Sequence, residues 1–94
     1  MNKAELIKGI AETAGTSQAA AGKNLDATLQ VIESALSSGD TVTIVGFGTF
    51  GTSKRKSRTG RNPQTGDAIH IAERIVPVFR AGKNLKDALR RLRG

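Results

Sequence analysis

Ninety-four residues carry 15 lysines and arginines against 8 acids, a net charge of +7, with 37% hydrophobic residues, three aromatics and no cysteine. That length holds one domain, the missing cysteine excludes disulfide and thiol chemistry, and so small an apolar share leaves dimerisation as a natural remedy for a thin core. The charge is uneven: residues 1–53 hold three cations (Lys3, Lys8, Lys23) and five anions, net −2, whereas residues 54–94 hold twelve cations and three anions, net +9, which points to a polyanionic partner.

Asn2 and Glu5 have the spacing of a helix cap and its third residue, and Leu6, Ile7, Ile10, Ala11 and Ala14 follow at helical intervals. A first helix is therefore predicted, ending near Gly15. Ser17 caps a second, whose stripe is Ala21, Leu25, Thr28, Leu29, Ile32 and Leu36, and Gly39 closes it. Gly22 inside it costs about 1 kcal/mol relative to alanine and suggests a close contact.

After Asp40 the period changes. Thr41 to Val45 is β-branched and reads as a strand. GFG turns the chain, and a second strand starts at TFGTSKRKSR but loses its apolar face after Phe50. Beyond RTGRNPQTG the chain returns through AIHIAERIVPVF, with Ile69, Ile71, Ile75 and Phe79 assigned to one face. GKNLKDALRRLRG carries Leu85, Ala88, Leu89 and Leu92 at helical spacing, a third and basic helix. The expected class is α+β: two N-terminal helices, a three-stranded antiparallel sheet with a long hairpin, and a short C-terminal helix. The hairpin's outer half, polar on both faces, has no core to pack on. Each leg has roughly nine residues and reaches ~30 Å at ~3.3 Å per residue, so it is an arm.

Gly46 to Gly51 fits G-x-G-x-x-G, but TSKRKS follows where a nucleotide fold needs a helix, so a tight turn anchored by Phe47 and Phe50 is the reading. AGKNL occurs at 21–25 and 81–85, too short to be a repeat. Lys83 and Lys86 oppose the dipole of the third helix, which makes sense if a phosphate docks on its N-terminal N–H groups; simple tolerance of exposed lysine explains them equally well. Lys3 raises the same pair of readings. His70, the one histidine, has no second ligand at metal spacing, and no catalytic constellation accompanies it, so neither cofactor, metal nor enzyme is expected. Asn62-Pro63 suits the first two positions of a type I turn, with Gly66 taking positive φ. Arg58 and Arg61 flank this tip, where a narrow minor groove would attract them, and proline is among the wedges that enter base steps.

VGFGTF (Val45–Phe50) followed by RTGRNPQTG (Arg58–Gly66) closely resembles the bacterial histone-like HU family, which also includes integration host factor. The likeness covers essentially the whole chain, with MNKAELI, the Gly39-Asp40 break, VPVF (Val76–Phe79) and GKNLKDAL all in place. The resemblance implies an intertwined dimer, homo- or heteromeric, whose helices form a base and whose two arms embrace double-stranded DNA through the minor groove. It makes Pro63 the wedge at each tip, with Arg58 and Arg61 in or along the groove and Asn62 also binding DNA. Lys54, Arg55, Lys56 and Arg74 would line the legs and meet phosphates, and Lys3, Lys83 and Lys86 would hold flanking DNA. Phe47, Phe50 and Phe79 would form the dimer core. In domain terms, residues 1–40 would be the helical dimerisation part, 41–80 the sheet with the arm at about 54–74, and 81–94 the C-terminal helix. Arg90, Arg91 and Arg93 exceed what the family carries and receive no role.

The function implied is architectural: DNA bound with little sequence specificity, bent and compacted in the bacterial nucleoid, with bent, nicked or flexible DNA preferred. The rivals are a site-specific, integration-host-factor-like subunit and a cationic membrane-surface or RNA-packaging protein. The arm has no large apolar residue between Phe50 and Ile69, which argues against a membrane and leaves RNA open. MNKAELIK lacks the apolar stretch of a secretory signal, and no run approaches the ~18 apolar residues of a membrane span, so a cytoplasmic protein is expected.

Overall fold

In the computed structural model, which describes residues 1–92, helix α1 runs Lys3–Ala14 and helix α2 Gln18–Ser37. Their ends are set by the residues that the sequence marks. Asn2 Oδ1 accepts from the Glu5 N–H at 2.9 Å, and Ser17 Oγ accepts from the Ala20 N–H at 3.1 Å. Gly15, at φ +70°, ends α1 with its N–H on the Ala11 carbonyl, and Gly39 takes φ +85° just past α2. The helices pack through small residues. Ala11 and Ala21 are the only fully buried apolar residues among those described, and Ile7 lies over Gly22.

The sheet follows. Strand β1 is Val42–Ile44, β2 Gly48–Arg55, β3 Arg58–Arg61, β4 Ala68–Ile71 and β5 Arg74–Ala81; helix α3 is Lys83–Ala88. β1, β2 and β5 form an antiparallel sheet in the order β1-β2-β5, and β3 and β4 form a separate two-stranded ladder. This is the expected α+β arrangement. The GFG turn uses its two glycines for different reasons. Gly46 has φ +83°, where a side chain is strained. Gly48 lies against neighbours, since a methyl there would come within 2.6 Å of the Arg80 carbonyl and as close to the Phe79 ring.

Register is continuous along the whole hairpin. Gly48 faces Ala81 and Arg61 faces Ala68, thirteen residues out along each leg. The ladder nevertheless stops for two residues on each side, at Lys56-Ser57 and Ala72-Glu73. Nothing is inserted at that interruption, so it is an opening and not a bulge.

Three aromatic rings mark the apolar face of the sheet. Phe79 meets Phe50 with ring centroids 4.8 Å apart and Phe47 at 5.6 Å, both tilted. The single-face assignment of the returning strand holds for Phe79 only in part. Ile75 is 70% exposed, while Val76 and Val78, on the opposite face by strand alternation, are half-buried. Ile75 pairs with Lys54, beyond the reach of the helices, and so has nothing to cover it. Helix α3 is also shorter than predicted. It stops at Ala88 and continues as three-residue turns, Leu89 N–H to Lys86 and Arg90 N–H to Asp87. Leu89 and Leu92 are exposed, so the apolar spacing there finds no surface in this chain to hold a helix.

One chain leaves much of its apolar surface in solvent. Its accessible area is 7974 Å², against about 5,200 Å² for a folded monomer of this mass. The radius of gyration is 18.9 Å, with extents of 57 × 34 × 28 Å; a compact chain of this length has about 12 Å. Part of the excess is the arm. The rest includes Leu6, Leu29, Ile44, Phe47 and Phe79, all more than 40% exposed.

Candidate nucleic-acid interface

Six of the fifteen cations lie between Lys54 and Arg74, together with two acids, Asp67 and Glu73. The continuous register fixes where they sit. Lys54 and Arg55 end β2, Arg74 begins β5 directly opposite Arg55, and Arg58 and Arg61 bound β3. All five are exposed, as is Lys56 at the interruption. Arg55, Lys56, Arg58 and Arg74 line one cleft of about 180 Å³ together with Ala72. Lys54 is separate from them: its Nζ lies 3.0 Å from Glu73 Oε1.

The tip is held by backbone and side-chain bonds. The Asn62 N–H donates to the Asp67 carbonyl at 2.8 Å, and the Gly66 N–H donates to the Asn62 carbonyl at 2.7 Å. The second bond spans four residues, so the turn is one residue wider than the type I turn expected at Asn62-Pro63. Asn62 Oδ1 accepts from the Gln64 N–H at 2.9 Å. That bond occupies the Asn62 oxygen and fixes the chain leaving Pro63. Gly66 takes φ +75°, as the sequence requires. Pro63 follows Asn62 directly and is exposed at the far end of the arm.

The body residues are less uniform. Lys3 Nζ lies 2.7 Å from Asp26 Oδ1, which ties the start of α1 to α2. Lys83 and Lys86 are exposed on α3, and the backbone there bears on the two readings of their charge. Gly82, the cap residue, offers no side chain. The N–H groups of Asn84 and Leu85 donate to the Gly46 carbonyl at 3.0 and 3.3 Å. A phosphate cannot use these donors while the β1–β2 turn holds them, so the two lysines stand there without the backbone cradle. Arg90 pairs with Asp87 at 3.7 Å, Arg91 is exposed, and Arg93 lies outside the described residues. His70 sits opposite Thr59 on the exposed arm. Among the described residues no three His, Cys, Asp or Glu side chains gather as metal ligands, and no helix is long and apolar enough to cross a membrane.

Sequence reasoning missed two features of this surface. One is the pairing of Lys54 with Glu73, whose signal is the single acid on the returning leg. The other is the interruption that gathers four cations into one cleft. Its only trace is the pair of Ser57 and Ala72 among strand formers.

The geometry is that of a cation-lined ribbon with an exposed apolar ring at its tip, and comparison with known proteins agrees. A sequence profile of the bacterial DNA-binding protein family matches residues 1–90. The chain is 58% identical to DNA-binding protein HU-beta of Neisseria meningitidis over 89 residues, 95% of this chain and 100% of that one. It is 56% identical to DNA-binding protein HU-beta of Escherichia coli K12, over 95% of this chain and 99% of the relative. The fold superposes on HU from an Anabaena HU–DNA cocrystal structure with a TM-score of 0.91 at 43% identity, covering 98% of this chain and all of that one. With the cationic arm and these full-length matches together, the chain belongs to the bacterial DNA-binding protein family, as a histone-like architectural protein of the HU kind.

Proposed function

We propose that two copies of this chain form a dimer whose arms lie along the minor groove and bend DNA with little sequence preference. The observation that carries the reading is the arm itself: two antiparallel legs with six cations and no core of their own. The dimer is supported by the exposed apolar face. Phe47 and Phe79 remain 45% and 42% exposed although they stack on each other and Phe79 also meets Phe50, and a second copy supplies the missing cover. The helical part, residues 1–40, and the phenylalanine face then form the body, and residues 54–74 the DNA-binding arm.

In this reading Arg58, Arg61 and the free amide of Asn62 run along the groove while the Pro63 ring enters a base step. Lys54, Arg55, Lys56 and Arg74 meet phosphates on the legs, and Lys3, Lys83 and Lys86 meet flanking phosphates on the body. Unstacking costs a few kcal/mol per step, offset by contacts that the bend makes available. Nicked or already bent duplexes therefore bind tighter, since less deformation remains to be done. The minor groove offers a degenerate code, so width and deformability are read more than sequence. Such a protein works on the chromosome, in the nucleoid of the bacterial cytoplasm.

Energy transfer between the ends of a labelled duplex tests the wedge. Pro63→Ala should reduce bending while the dimer mass is unchanged. Unaltered bending leaves Pro63 as a turn former only.

A further inference from the structure

The cleft at the interruption of the arm has a property that a plain cation-lined ribbon does not need. In an unbroken strand, Arg55 and Lys56 point to opposite faces. Here both line the same cleft, with Arg58 from β3 and Arg74 from the other leg. Arg55 and Arg74 are direct cross-strand partners, the last pair before the ladder opens, and like charges so placed repel. No carboxylate lines the cleft. Glu73, next in sequence to Arg74, is held by Lys54. The cleft's room, about 180 Å³, is well above the ~10–15 Å³ that admits one water.

We propose that this cleft is a discrete site for a compact polyphosphate anion, of the pyrophosphate or tripolyphosphate class. Charge complementarity selects that class. A single phosphodiester brings one negative charge to four cations, whereas two or three linked phosphates bring several into the same volume. Three of the four cations are arginines, whose planar forks match phosphate oxygens in pairs. The bound anion removes the repulsion between Arg55 and Arg74 and bridges the two legs where backbone pairing is missing. Phosphate oxygens of this kind come either from a free polyphosphate or from a DNA backbone, so the occupant has to be distinguished by competition.

The test is a titration of the full chain with tripolyphosphate, followed by phosphorus NMR and calorimetry, in sulfate matched for ionic strength. The variants are Arg55→Gln with Arg74→Gln, and a charge-matched control, Lys8→Gln with Lys23→Gln, on the helices. Lys56→Gln gives a milder change in the cleft, and circular dichroism checks that each protein is folded. The expected result is saturable binding of one anion per chain, retained by the helix control and weakened about tenfold or more in the arginine pair. Equal weakening in both pairs, or no saturable response above sulfate, overturns the site. Duplex DNA is titrated in parallel. Loss of tripolyphosphate binding in the arginine pair, with or without a loss in DNA affinity, supports the free anion as an occupant. Loss of DNA affinity with tripolyphosphate binding intact overturns it and assigns the cleft to the DNA backbone. Failure of every protein to bind DNA would instead sink the DNA reading and leave the anion result standing.

Discussion

Glu73 is the single acid on the returning leg of the arm, and its replacement isolates what an internal counter-ion does to DNA affinity. Lys54 Nζ sits 3.0 Å from its carboxylate, with the two side chains 64% and 50% exposed. At that exposure the pair is worth about 0.2–1 kcal/mol, because water and salt screen it. If Lys54 meets a phosphate, this interaction must be given up on each arm. Glu73→Gln removes the competitor while keeping the side chain's size. A dimer with two arms then gains about 0.4–2 kcal/mol, which is a ~2–30-fold lower Kd. Fluorescence anisotropy with a short duplex, between about 50 and 200 mM salt, reads the effect, and the gain should shrink as salt rises. A cycle that adds Lys54→Gln assigns it: with Lys54 gone, Glu73→Gln should give less. Unchanged or weaker binding by a folded Glu73→Gln protein refutes the reasoning, as does a gain that persists in full without Lys54.

Phe79→Ala removes the ring shared by Phe47 and Phe50 and should cost about 3–5 kcal/mol, read as dissociation of the dimer in sedimentation equilibrium. Gly48→Ala places a methyl 2.6 Å from the Arg80 carbonyl, an overpacking that should cost ~1–3 kcal/mol and lower Tm by at least several degrees. Gly22→Ala should do the reverse. Its methyl would meet Ile7 at an ordinary 3.5 Å, and the helix interior gains up to ~1 kcal/mol, seen as a higher Tm.

Much of the fold was legible because the signals are local. Asn2, Gly15 and Ser17 act within four residues of themselves, so caps written in the sequence recur as bonds in the structure. The change from helical to strand character after Asp40, and the loss of the apolar face beyond Phe50, likewise need no knowledge of the rest of the chain. The failures are long-range. Nothing near Asn84 announces that its N–H will be taken by Gly46, thirty-eight positions away, so the sequence leaves a backbone cradle on α3 and simple tolerance of exposed lysine equally open. Leu89 and Leu92 have helical spacing, but spacing holds a helix only where a surface receives it. A glycine at 22 suggests a close contact, but Ile7 leaves ordinary van der Waals room there. Local pattern also says nothing about which lysine an acid will choose, so the pairing of Lys54 with Glu73 is visible only in the folded arm.

The unbroken register through the open segment makes the arm a ruler with a fixed rule for being lengthened. Adding one residue to the outgoing leg would turn over the side chains beyond it on that leg, exchanging the faces on which Arg58 and Arg61 lie. Adding two to each leg at the opening keeps all faces and moves the tip outward by about 6.6 Å. The opening is the place where such a change disturbs no ladder bond, so the distance between the body's cations and the proline tip is set there, independently of both ends.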